Sequence, residues 1–184
     1  MKQQPRHIFL TGPPRIGKTT IVLKVVGELR NMGLKVGGMI SQEIRDGGVR
    51  VGFKIMDLKT GLEGILAHID QKSGPLVGKY RVCLEDLENV GVEAILNACK
   101  ESDLIIIDEV GPMELHSEAF KKAVLEALNS GKTVLGTIHY RVSSPFIDAI
   151  RNREDVEIIE VTYRNRDNLS KTIAKKILER TPKH

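Results

Sequence analysis

Apolar positions along the chain follow two rhythms. Short aliphatic runs of strand length, Ile8-Phe9-Leu10 and Leu104-Ile105-Ile106-Ile107 among them, are separated by stretches whose apolar residues recur at helical spacing. Ile21, Val22, Val25, Val26 and Leu29 predict a helix over 18–31 with one buried face. Strands are predicted at 7–11, 35–41, 103–108, 133–138 and 156–161, and further helices at 85–100, 114–130, 145–153 and 166–180, with Gly131 closing the helix at 114–130. Strands that alternate with helices require an α/β fold with a mainly parallel sheet flanked by helices. Between 42 and 84 the texture changes. Asp46-Gly47-Gly48 signals a hairpin, Val49, Val51, Phe53 and Ile55 alternate with Arg50, Gly52, Lys54 and Met56, a turn falls at 57–61, and a returning strand is expected at 62–69. Ser73-Gly74-Pro75 then breaks the pattern ahead of a short strand at 80–84. This stretch reads as a small antiparallel β insertion, about 42–84, within a single domain of 1–184.

Composition narrows the class. With 184 residues and a hydrophobic share of 41%, the chain fits one globular domain. No apolar run approaches a membrane span, and Met1-Lys2-Gln3-Gln4 leads into the first strand without a leader, so a cytoplasmic protein with no membrane partner is expected. Cys83 and Cys99 stand far from any C-x-x-C spacing and read as two small core residues. A charged share of 28% with little Gln points to a thermophile. The net charge of +4 raises the question of a nucleic-acid partner. The surplus gathers on the last helix, as Lys171, Lys175, Lys176, Arg180 and Lys183 opposite Leu169, Ile173 and Ile177, and aromatics are only 4% of the chain. A solvated helix face accounts for it, and nucleic acid is not expected.

The candidate chemistry begins directly after the first strand. Gly12-Pro13-Pro14-Arg15-Ile16-Gly17-Lys18-Thr19 is the phosphate-binding P-loop pattern in the strand-loop-helix context it needs. Its backbone N–H groups can cradle phosphate oxygens, Lys18 brings charge to the β- and γ-phosphates, and the Thr19 hydroxyl can ligand Mg²⁺. Thr20 opens the helix whose N-terminus faces the anion. A second constellation ends the strand Leu104-Ile105-Ile106-Ile107 with Asp108-Glu109, followed by Val110 and Gly111. Asp108 is the candidate second Mg²⁺ ligand, and Glu109 is placed to orient an attacking water. Thr137 and His139, at the end of the next strand, are candidate sensors of the γ-phosphate or of that water, with a hydrogen-bonded loop role for His139 equally open. Arg15, Arg141, Arg151 and Arg153 are candidate sources of positive charge for a phosphoryl-transfer transition state. The guanine-reading Asn-Lys-x-Asp tetrapeptide is absent from the chain, which argues for loose base selectivity. Tyr163-Arg164, after the last strand, could stack on a base.

The chain resembles the THEP-type, or cancer-related, nucleoside-triphosphatases. The residues that carry the resemblance are the P-loop through Thr20, the run Leu104 to Glu114 with its Asp108-Glu109-Val110-Gly111-Pro112-Met113-Glu114, and Asn165-Arg166-Asp167. It implies a RecA-like P-loop NTPase fold and slow hydrolysis of ATP, GTP, CTP and UTP to diphosphate and phosphate. It also implies that the P-loop and the segment Leu104 to Gly111 bind nucleotide. Pro112 departs from the lysine often found there in the family, so charge would have to come from elsewhere, Arg141 being one source. Two further readings stay open on the residues: a kinase that passes the γ-phosphate to a small-molecule or nucleotide acceptor held by the 42–84 insertion, and a nucleotide-gated nucleic-acid-binding module.

Overall fold

The computed structural model describes residues 5–181. The start of the chain at Met1-Lys2-Gln3-Gln4 and Lys183 of the basic tail lie outside them. The strand His7–Thr11 (β1) is buried along its whole length and leads into the P-loop and the helix Lys18–Asn31 (α1). Val36–Asp46 (β2), Val49–Asp57 (β3) and Glu63–His68 (β4) follow, then the short pair Leu76–Val77 (β5) and Tyr80–Val82 (β6). The helix expected at 85–100 is Leu84–Asp86 (α2), a π-helical turn at Leu87–Val92, and Glu93–Glu101 (α3). Leu104–Val110 (β7) carries the acidic pair.

The helix expected at 114–130 is split. A 3₁₀ turn at Glu114–His116 precedes Glu118–Asn129 (α4), because Ser117 turns extended and accepts the Phe120 N–H at 3.0 Å as an N-cap. Thr133–Ile138 (β8), Pro145–Arg151 (α5), Val156–Glu160 (β9) and Arg166–Arg180 (α6) complete the described chain.

Among the described residues these strands form one nine-stranded sheet in the order β5-β6-β4-β3-β2-β7-β8-β1-β9. The five strands from β2 to β9 in that order are mutually parallel, as continuous apolar runs covered on both faces should be. Successive side chains go to opposite faces. Ile8, Leu10, Leu104 and Ile106 pack with α1 and α6, while Phe9, Ile105 and Ile107 pack with α3, α4 and α5.

The 42–84 stretch differs in one respect from a self-contained insertion. β2 runs on past the expected end at 41 and joins the parallel and antiparallel parts of the sheet: Val36 to Ile40 pair parallel with β7, and Met39 to Asp46 pair antiparallel with β3. The antiparallel strands therefore extend the same sheet. The register shift at Ile44/Arg45 makes Val51 an extra residue of β3 and breaks the simple alternation expected there, and the shift at Phe53/Lys54 makes Leu66 an extra residue of β4; both faces of β3 are partly covered.

The basic face of α6 is only partly solvated. Lys176 and Arg180 turn onto β9 and both pair with Glu157, the Arg180 contact at 2.7 Å. Cys83 and Cys99 are free and half-buried. No described helix is long and apolar enough to cross a membrane.

Candidate active site

Parallel pairing sends the C-terminal ends of β1, β7 and β8 to one edge of the sheet, where open α/β sheets bind ligands. β8 lies between β1 and β7, so Thr137 sits between the P-loop and the acidic pair.

The P-loop is closed on itself. Lys18 Nζ donates to the carbonyl oxygens of Gly12 and Pro13 at 2.8 and 3.2 Å. Gly12 has a φ of 146°, and a Cβ there would lie 2.8 Å from the Val161 carbonyl oxygen, so the loop admits only glycine at its entrance. Ile16 is buried under the loop and anchors it in the core, while Arg15 projects into solvent with a φ of 64°. Gly17 opens α1 without a side-chain cap, and its first turn holds no acidic residue. The orphan N–H groups of that turn, with the helix dipole behind them, are left for an anion. Thr20, at the same helix start, is exposed.

Asp108 is the centre of the site. It is 1% exposed, and each carboxylate oxygen accepts a hydroxyl hydrogen bond: Oδ2 from Thr19 at 2.8 Å and Oδ1 from Thr137 at 2.5 Å. Burial pushes its pKa up, while Thr137, Thr19 and the charge of Lys18 oppose the rise. The Asp108–Glu109 peptide bond is cis. Burial, then the neighbouring Asp108 carboxylate, pushes Glu109 up to about 7.

Glu114, which the sequence reading treats only as part of the family-like run, is a further member of this group. It is 4% exposed, and burial followed by the Glu109 charge pushes it up to about 8. A Cβ on Gly111 would lie 2.7 Å from Glu109 Oε1 and 3.2 Å from Glu114 Oε2, so the two carboxyl groups flank the same backbone atom. The one signal in the sequence was its place just after the acidic strand; the turn that brings it back is invisible there.

The remaining candidates separate. His139 accepts from the N–H groups of Arg141 and Val142 through Nδ1 at 3.3 and 3.2 Å and donates its own N–H to Val110 at 3.0 Å. It organises the loop after β8, and burial with the charges of Lys18 and Arg151 pushes its pKa down. Arg151 braces this loop by donating to the His139 carbonyl at 2.9 Å. Arg141 is exposed, with its guanidinium 6.0 Å from the Tyr140 ring. Arg153 lies at the opposite edge of the sheet, paired with Asp155 at 2.8 Å, which removes it from the set of charges available to the phosphates.

The donor set suits Mg²⁺. Thr19 and Asp108 offer hard oxygen ligands at the mouth of an anion-binding loop. Mg²⁺ is commonly held by one or two carboxylates with phosphate and water supplying the rest. Among the described residues no group of three or more His, Cys, Asp or Glu converges as a separate metal cage.

Fold and site together define a P-loop nucleotide-binding protein whose acidic strand stands one strand away from the P-loop strand. A family model described as NTPase matches residues 7–174, and the chain belongs to that family, the THEP1 nucleoside-triphosphatases. It is 52% identical over 173 residues to "Nucleoside-triphosphatase THEP1" of Thermofilum pendens, covering 94% of this chain and 95% of that one. The protein of the same name from Methanocaldococcus jannaschii is 47% identical over 173 residues, covering 94% and 97%. Two solved structures share the fold. The solution structure of a human cancer-related nucleoside triphosphatase matches with a TM-score of 0.81 and 36% identity over 95% of this chain and 98% of that one. The crystal structure of THEP1 from the hyperthermophile Aquifex aeolicus matches at 0.82 and 30%, over 93% and 98%.

Proposed function

We propose that the protein is a Mg²⁺-dependent nucleoside-triphosphatase that releases phosphate slowly from ATP, GTP, CTP and UTP. The observation that carries this reading is the position of Asp108, held between the P-loop hydroxyl Thr19 and Thr137 of β8 with Glu109 at its shoulder. Lys18 and the N–H groups at the start of α1 hold the phosphate charge. Thr19 and Asp108 are the residues that would hold Mg²⁺, which when bound would draw charge from the β- and γ-phosphate oxygens.

Glu109 acts as the base that orients the attacking water. A carboxyl pushed up to about 7 is poised to take a proton near neutral pH. Burial, then the Glu109 charge beside it, pushes Glu114 up to about 8 and so favours its neutral form next to Glu109. Thr137 ties Asp108 to the strand next to the P-loop, and His139 with Arg151 fixes the loop at the mouth of the site. The loose base selectivity rests on the missing guanine-reading tetrapeptide.

Transfer to an acceptor is the competing chemistry. It is disfavoured by the 42–84 strands, which pair edge-on into the central sheet and so offer no separate acceptor lobe. The deciding experiment is phosphate release with ATP, GTP, CTP and UTP, with and without Mg²⁺, and with and without a set of hydroxyl acceptors. Release from all four that needs Mg²⁺ and ignores the acceptors supports the hydrolase. A rate that jumps when an acceptor is added overturns it in favour of a kinase.

A further inference from the structure

Tyr163 is 76% exposed, more than any other large apolar or aromatic side chain among the described residues. Aromatic residues are only 4% of the chain, and the other two tyrosines have structural roles. Tyr80 is buried edge-on against Phe53, and Tyr140 donates to Glu160. An aromatic ring left in water on a loop beside a ligand site is therefore the unusual feature of this molecule.

The position of Tyr163 is fixed by the sheet. β9 pairs parallel with β1 from His7↔Val156 to Thr11↔Glu160, so the two strands end level with each other. The ladder continues one step further, with the Val161 N–H donating to the Thr11 carbonyl at 2.8 Å. The close approach of Val161 to Gly12 described above puts the two loops in backbone contact. Tyr163 follows two residues later, at the same edge as the P-loop and on the side away from Asp108.

The loop that carries Tyr163 is closed by its own hydrogen bonds. The Thr162 N–H donates to Asn165 Oδ1 at 2.8 Å, Asn165 Nδ2 donates to the Glu160 carbonyl at 2.8 Å, and the Arg166 N–H donates to the Thr162 carbonyl at 3.0 Å. Asn165 thus closes the turn from inside and leaves Tyr163 and Arg164 at its tip. The Arg166 guanidinium lies 4.9 Å from the centre of the Tyr163 ring. One face of the ring is thereby held by a cation, and its exposure leaves the other to solvent.

We propose that the free face of Tyr163 is the platform on which the nucleobase of the bound triphosphate stacks. The inference rests on the nucleoside-triphosphatase reading above and supplies its missing base subsite. In that reading Mg²⁺ and the γ-phosphate lie on the Asp108 side of the P-loop, and the strand order β7-β8-β1-β9 leaves β9 and its following loop on the opposite side for the rest of the nucleotide. Stacking needs only a π-face, which every base has, so a stacking platform tolerates purines and pyrimidines alike. It also explains how a chain without a guanine-reading tetrapeptide can hold several bases.

The test compares equilibrium binding of Mg-ATP, Mg-GTP, Mg-CTP, Mg-UTP and Mg-tripolyphosphate, which has no base, to the wild type, Tyr163→Ala and Tyr163→Phe. Tyr163→Ala should weaken all four nucleotides by roughly 5- to 100-fold, the cost of removing an aromatic platform from under a base. Its affinity for tripolyphosphate should not change, and Tyr163→Phe should keep wild-type affinity for every ligand. The chain has no Trp and 3 Tyr, so tyrosine emission gives a second readout. Nucleotides should quench it in the wild type and less in Tyr163→Phe, and tripolyphosphate should not quench it. The proposal is overturned if Tyr163→Ala binds the nucleotides as the wild type does, or if tripolyphosphate weakens in parallel, which would make Tyr163 a prop of the P-loop. Wild-type phosphate release alongside undiminished binding by Tyr163→Ala removes the platform alone. A wild type that binds neither nucleotides nor tripolyphosphate removes the hydrolase reading and the platform with it.

Discussion

Asp108 is a carboxylate withdrawn from water, a state that is costly unless its lone pairs are met. Thr19 and Thr137 meet them, and the Thr137 bond joins residues 29 apart in sequence. Thr137→Val keeps the volume and removes one donor. It should lower stability by about 1–3 kcal/mol in a denaturant titration and slow phosphate release, with Thr137→Ser restoring both. Glu109→Gln keeps the shape of the site but cannot take a proton; nucleotide binding should persist while turnover falls at least about 100-fold. Normal turnover by that variant would remove Glu109 from the role of base.

His7 has a different effect, far from the phosphates. Its Nδ1 accepts the Val134 N–H at 3.2 Å, and burial pushes its pKa down to about 4 against an ordinary value of 6.5. The folded state resists protonating it, while the unfolded chain protonates it below 6.5. Stability from this group is therefore complete above 6.5 and lost as the pH falls toward 4. The loss amounts to about 3 kcal/mol. Denaturant titrations at pH 7.5 and 4.5 should show a smaller acid loss for His7→Gln than for the wild type.

At the scale of elements, local signals located nearly every strand and helix but not their interruptions. The stripe Ile21, Val22, Val25, Val26 and Leu29 is the buried face of α1. Helical periodicity persists through 114–130, yet the chain breaks at Ser117, whose hydroxyl also donates to Glu88 Oε1 at 2.8 Å. That contact reaches back to the π-helical turn before α3, so the cap of one helix is set by another element. Ser117→Ala removes the N-cap and leaves the half-buried Glu88 without this donor. It should cost about 1–2 kcal/mol, read as a lowered denaturation midpoint. Within β8, a Cβ at Gly136 would lie 2.6 Å from the Phe9 ring and 2.8 Å from the Ile107 carbonyl. This close approach lets β8 fit between β1 and β7 and carry Thr137 to Asp108, and no local pattern announces it.

At the scale of the whole molecule, the site is assembled from three strands of one sheet, so occupying it should stabilise the fold as a unit. A ligand bound only by the folded chain contributes about 2.7 kcal/mol at a hundredfold excess over its Kd. For a domain of this size that is a rise of about 5–10 °C in Tm. Mg-nucleotide should produce such a rise in the wild type and little or none in Lys18→Ala, which also loses phosphate release. Equal shifts in the two proteins would remove Lys18 from the phosphate site.

The sequence by itself determined the α/β rhythm, the P-loop, the acidic end of β7 and the antiparallel character of 42–84. Each is written in residues close together in the chain, where periodicity, turn chemistry and phosphate-binding geometry act. Only the tertiary structure decided which strands are neighbours. It put β8 between β1 and β7, bonded Thr137 to Asp108, folded Glu114 back beside Glu109, made the antiparallel strands an extension of the central sheet, and set Val161, two residues before Tyr163, against Gly12. The physical reason is that an apolar pattern says which face of a strand or helix must be buried, not against what. Strand pairing joins distant segments through backbone hydrogen bonds whose register side-chain identity does not spell out.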